Sequence, residues 1–194
     1  MTASDLTHDR LDSLEFHEVD GARWPDLVRL FEGRGGPKHC WCMVWREAGP
    51  NRGALGNDDR KALLQQRVVE GTPIGLLAYL EGAPVAWCSV APRETYRERA
   101  LGGPPSTSGD VVWSIVCFFA QRRLRGEGVG RALLAAAVRV AVSHGATAIE
   151  AYPVDPDSPS YRFMGVTSMF RAAGFAELGR VGTRRHVMRL NLPR

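Results

Sequence analysis

Arg125-Gly126-Glu127-Gly128-Val129-Gly130-Arg131 is the stretch on which the reading of this 194-residue chain turns. Before it, residues 111–119 are almost continuously apolar, as a strand covered on both faces must be. After it, residues 129–143 are alanine-rich with apolar positions at helical spacing, and Gly145 ends the run. A buried strand, a turn with three alternating glycines and a helix therefore follow one another directly. Glycine lets the backbone take positive φ and lets amide N–H groups approach an anion with no Cβ between, and the helix start adds the positive end of its dipole. The turn is therefore predicted to hold a pyrophosphate. Glycines can also merely tighten a turn, but the position between buried strand and helix favours the anion site. The known phosphate loops of other spacing do not fit: no Gly-Lys-Ser/Thr follows, and Arg131 fills the last place of a Gly-x-Gly-x-x-Gly frame.

Working outward, residues 14–19 read as a strand and 22–31 as a helix with Trp24, Leu27, Leu30 and Phe31 on one face. Asn57 and the two acids after it are expected to cap a helix that Gly71 stops. Residues 74–80 and 84–91 read as a hairpin with the three-residue loop Glu81-Gly82-Ala83, ending at Arg93 and Tyr96, which read as a solvated strand end with ligand contact as the lesser alternative. Residues 101–109, dense in Gly, Pro, Ser and Thr, read as a surface loop that contributes little to the core. Residues 146–154 read as a strand, 160–173 as a helix, and 175–178 with 186–192 as a final strand pair. The order is mixed α/β: a central sheet flanked by helices, in one domain spanning 1–194.

Composition narrows the function classes. Net charge is +4, but the basic residues are spread along the chain, which does not suggest nucleic acid. No apolar run is long enough to cross a bilayer, and residues 1–12 lack the basic and apolar segments of a secretory leader. Four cysteines, two of them inside apolar strands, fit a reducing cytoplasm. Cys40-x-Cys42 with His39 is too small a set for structural zinc, and no metal is expected.

The sequence resembles the GNAT superfamily of N-acetyltransferases, whose signature Arg/Gln-x-x-Gly-x-Gly/Ala is met by Arg125, Gly128 and Gly130 between strand and helix. The hairpin before the motif and Phe170-Arg171-Ala172-Ala173-Gly174-Phe175 before the last strands follow the same family order. The resemblance implies the GNAT acyl-CoA N-acyltransferase fold, a mostly antiparallel sheet splayed at the motif strand. It implies acetyl-CoA as co-substrate, with Arg125, Gly126, Glu127, Gly128, Val129, Gly130 and Arg131 at the pyrophosphate and Phe118, Phe119 and Ala120 along the pantetheine arm. It implies transfer of an acetyl group to a primary amine by direct attack in a ternary complex, the acceptor being left open among a small amine, an antibiotic and a protein N-terminus or lysine. It is also compatible with a homodimer.

An alkylammonium is only about one part in a few thousand neutral at pH 7, so a lysine-like acceptor needs a base. Glu150, a charge within the apolar run Ala148-Ile149-Glu150-Ala151, is the candidate; a salt bridge to Arg162, Arg171 or Arg189 is the alternative, and Asp155 and Asp157 are weaker candidates. The tyrosine that many members place four residues before the Gly-Phe pair, as acid to the departing thiolate, is Phe170 here, and Tyr161 or Tyr152 could replace it. That departure also admits a non-catalytic acyl-CoA-binding sensor. The loop from Gly35 to Arg46 carries Trp41 and Trp45, which are expected either to pack as one helical face or to border the acceptor. An exposed tryptophan face there would hold a polycationic or aromatic amine.

Overall fold

The computed structural model describes residues 11, 13–46, 55–105, 107 and 109–193; the reading of residues 1–12 falls almost wholly outside them. Strand β1 (Glu15–Glu18) leads into helix α1 (Trp24–Glu32), which buries Trp24, Leu27, Leu30 and Phe31, the stripe set by its sequence spacing. Helix α2 (Asn57–Val69) is capped one residue earlier than expected: Gly56 is the cap, and its N–H donates to the Asp59 carboxylate at 2.8 Å.

The hairpin of β2 (Leu76–Leu80) and β3 (Ala83–Pro92) closes with two residues rather than three. Leu80 pairs with Ala83, and Glu81 (φ 51°) and Gly82 (φ 72°) are both left-handed, the turn whose twist matches its strands. Helix α3 (Glu98–Leu101) follows, then β4 (Val112–Ala120), helix α4 (Val129–Ser143) and β5 (Ala148–Ala151). Helix α5 (Thr167–Ala172) and the antiparallel pair β6 (Ala176–Val181) and β7 (Arg185–Asn191) complete the chain.

The seven strands form one mixed sheet in the order β1-β2-β3-β4-β5-β7-β6. Only β4 and β5 run parallel, because the crossover between them is α4. Helix α4 lays Leu133, Leu134 and the small Ala136, Ala137 and Ala141 on one face of the sheet. Helices α1 and α2 cover the other face, around Trp41 and Trp87.

Two expectations change. Residues 101–105 are anchored: Leu101 is fully buried, and the Arg93 guanidinium donates to the carbonyls of Pro104 (2.6 Å) and Gly102 (3.4 Å). Arg93 and Tyr96 are accordingly buried rather than solvated. The helix expected over 160–173 is broken. A 3₁₀ turn, Arg162–Met164, precedes Gly165 at φ +87°, and only then does α5 begin. The break lets Val154 take a backbone bond from Thr167 and give one to Gly165.

Gly165 has no room for a side chain, since an added Cβ would lie 2.7 Å from the Phe170 ring. Gly165→Ala should therefore cost about 2–4 kcal/mol in urea unfolding, the sum of left-handed strain and overpacking. Gly145→Ala, also at positive φ but in open space, should cost only about 1–2 kcal/mol.

Candidate functional site

Strand β4 reaches the site because it is longer than its parallel neighbour. It pairs with β5 only from Val112–Ala148 to Ile115–Ala151. On its other side it stays paired with β3 as far as Ala86–Ala120, with Val116 as an extra, bulged residue between the pairs Ser89–Cys117 and Val90–Ile115. Past Ala151 the chain turns away, and Val154 bridges Val166 instead. The edge of residues 117–120 that faces β5 is thus left open, with the half-buried Phe118, Phe119 and Ala120 at its end.

Beyond that edge the chain makes a 3₁₀ turn over Arg122–Leu124, pinned by the buried Leu124, and enters the glycine turn. Gly126 (φ +85°) and Gly128 (φ +90°) are both left-handed, and Gly128 is the cap residue of α4. Among the described residues, no backbone carbonyl takes a hydrogen bond from the amides of Gly126, Glu127, Gly128, Val129 or Gly130. Five successive N–H groups at a helix start, with a Cβ at Gly126 meeting no atom within 4 Å, offer the kind of donor row that suits an anion. Arg122, Arg123, Arg125 and Arg131 surround the turn in exposed positions. Arg125 is partly committed, since its Nε donates to the Ala120 carbonyl at 3.2 Å. Between α4 and α5 runs a groove of about 350 Å³ with Arg131 and Met169 in its wall.

Glu150 is fully buried and belongs to a network. Its Oε1 faces Arg93 at 3.5 Å and Arg189 at 3.4 Å, and its Oε2 accepts from the Tyr152 hydroxyl at 3.1 Å. Burial pushes its pKa above the usual carboxylate range, against the lowering pull of Arg93. The partner Arg189 was among those anticipated; Arg93 was not. Tyr152, also fully buried, shares its hydroxyl with Ser114 at 3.0 Å, and burial raises its pKa as well. Asp155 pairs with the buried His186 at 3.0 Å, which chiefly lowers its pKa, while Asp157 is exposed.

Phe170 lies in the core, edge-on to Phe175 (5.1 Å) and Phe118 (6.1 Å), so the place of the usual tyrosine is apolar. Tyr161 is 38% exposed, with ring centres 6.2 Å from both Trp45 and Phe163. The two tryptophans part company. Residues 37–45 form turns rather than a helix, with Trp41 and Cys42 left-handed. Trp41 is sealed in the core between Trp24 and Phe31, whereas Trp45 lines a cavity beside residues 116–119. Among the described residues, no cluster of three or more His, Cys, Asp or Glu is placed to hold a metal.

The chain matches the Acetyltransferase (GNAT) family over residues 29–165 and belongs to that family. Solved structures of similar fold include a ribosomal-protein-alanine N-acetyltransferase from Brucella melitensis, 20% identical over 92% of this chain and 99% of that one, TM-score 0.55. A GCN5-related N-acetyltransferase from Kribbella flavida is 20% identical over 93% and 99%, TM-score 0.55. The paia N-acetyltransferase from Thermoplasma acidophilum, solved in complex with coenzyme A, is 10% identical over 93% and 99%, TM-score 0.51. No curated protein sequence matches the chain. The protein is an acyltransferase of the GNAT type, with acetyl-CoA as co-substrate.

Gly128→Val should weaken coenzyme A binding by at least about ten-fold in calorimetry, since a branched residue cannot keep the left-handed turn that aligns the amides. Glu150→Gln should lower stability by about 1–3 kcal/mol in thermal melts, because the buried Arg93 guanidinium loses its charge compensation while the half-buried Arg189 keeps Asp110 at 3.7 Å, with coenzyme A affinity unchanged.

Proposed function

We propose that the chain moves an acetyl group from acetyl-CoA to a primary amine by direct attack within a ternary complex. The observation that carries this reading is the row of five unused amides at the start of α4, immediately beyond the open edge of β4. A pyrophosphate on those amides directs the pantetheine arm back along residues 118–120, where its amides replace the missing strand. That places the thioester near the Val116 bulge, against the cavity that Trp45 lines.

Glu150 serves here as a positioning residue: both its oxygens are engaged, and it holds β5 to Arg93 and to β7 through Arg189. Tyr161, packed against two walls of the cavity, supplies a proton to the departing thiolate. Because a thiol of pKa about 8.5 is a good leaving group, that help is modest. Four free cysteines fit a reducing, cytoplasmic setting, and no helix of the described residues is long and apolar enough to cross a membrane. The buried Phe170 and the engaged Glu150 favour one other reading, an acyl-CoA sensor without turnover.

Acetyl-CoA titrated in the calorimeter, followed by thiol release with a panel of amines, separates the two. The transferase binds and releases thiol only when amine is present, whereas the sensor binds and releases none. Tyr161→Phe should lower kcat about ten-fold with an unchanged KM for acetyl-CoA.

A further inference from the structure

The 37–45 loop and residues 116–119 of β4 enclose a cavity of about 220 Å³. Val44, Trp45, Phe119 and Phe163 contribute its walls, together with the thiols of Cys40 and Cys117. Among the described residues, no charged side chain lines it. An apolar cavity of about 150 Å³ takes a benzene ring, so the volume here suits one aromatic ring with a short substituent.

The surroundings turn away a cation. The Arg185 guanidinium lies 4.6 Å from the centre of the Trp45 ring, and the Lys61 ammonium lies 5.3 Å from that of Trp41. Trp41 is sealed in the core and offers no seat, and the face that Trp45 could offer a cationic substrate is filled by the chain itself, with Arg185 setting positive charge beside the cavity wall. The buried acid of β5 is committed to Arg93 and Arg189 and is not in that wall. An ammonium entering the cavity would lose its hydration and meet no counter-charge, and desolvation of this kind favours the neutral form of an amine.

We infer that the acceptor is a compact arylamine, its nitrogen bonded directly to the ring and uncharged at neutral pH, rather than a polyamine or a lysine side chain. The inference rests on the transferase reading above and names the substrate of that same cleft. The nitrogen lone pair attacks the thioester carbonyl carbon, forming the C–N bond as the C–S bond breaks. Coenzyme A leaves as thiolate and takes its proton from the Tyr161 hydroxyl, which is restored by the proton shed by nitrogen, giving the N-aryl acetamide and the free thiol. No base has to act before attack, because the lone pair is already free. A lysine-like amine, only about one part in a few thousand neutral at pH 7, would need one.

The test measures thiol release from acetyl-CoA with p-toluidine, benzylamine, spermidine and a lysine peptide. The arylamine should show kcat/KM at least about ten-fold above the other three, with no pH dependence across about pH 6.5 to 8.5. Val44 is half exposed, so Val44→Trp fills the cavity mouth without touching the core. This variant should lower kcat/KM for p-toluidine at least about ten-fold while leaving the calorimetric acetyl-CoA affinity within about two-fold. Preference for benzylamine, spermidine or the peptide overturns the inference and leaves the transferase reading standing. Full p-toluidine turnover in Val44→Trp likewise removes the cavity as its seat. Acetyl-CoA binding without thiol release for any amine overturns both readings, in favour of the sensor.

Discussion

Everything at the site depends on β4 being paired from Trp113 to Ala120 on one side, save for one bulge, and only along its first half on the other. Four register pairs, Val112–Ala148 to Ile115–Ala151, join β4 to β5. Past them β5 has no residues to offer, because Val154 is held by the 165–167 segment through two backbone bonds. The left-handed Gly165 makes that second pairing possible. An open strand edge inside a protein carries unpaired amides and carbonyls, which is costly unless something bonds to them. The glycine turn at the end of the same strand presents five more free amides. A polar, extended ligand ending in an anion fits both surfaces at once.

The buried charges reinforce the same seam. Arg93 follows β3, Glu150 lies on β5 and Arg189 on β7, so this ionic group spans the junction at which β4 and β5 meet. Gly103, at φ +100°, lies against the Glu150 carboxylate and admits no side chain, its added Cβ falling 2.7 Å from Oε2. A loop that looks dispensable by composition is thereby fixed by contacts with a distant strand. An isolated buried pair adds little net stability, and the value of this one lies in holding several segments in one arrangement.

What the sequence disclosed and what it hid follow from range. Helix α4 begins at Val129 and ends at Ser143 as its periodicity and bounding glycines require, because both signals are local. The glycine turn was legible for the same reason: positive φ, free amides and a helix start are properties of seven consecutive residues. The break at Gly165 was not, since it depends on Val154 and on the Phe170 ring. Nor was the separation of Trp41 from Trp45. Their spacing of four matches a helix, yet the left-handed Trp41 and Cys42 turn one ring into the core and leave the other on a cavity. That Arg185 would cover Trp45 could not be read from either segment, because the two are brought together only by the return of β7. Arg93 looked like a solvated strand end because its partners, Glu150 and the 102–104 carbonyls, are tertiary.

On the proposed seating of acetyl-CoA, the half-paired strand gives the co-substrate a second role, as part of the fold. A ligand seated along residues 117–120 supplies the missing rung of the sheet and ties its two halves across a junction of only four register pairs. Any ligand that binds only the folded chain stabilises it by mass action, about 2.7 kcal/mol when present at a hundred times its dissociation constant. For a protein of ordinary marginal stability this is a sizeable share of the whole. The lifetime of the chain in a proteolytic environment is thereby coupled to the supply of acetyl-CoA: plentiful acyl donor preserves its own consumer, and scarcity exposes the seam.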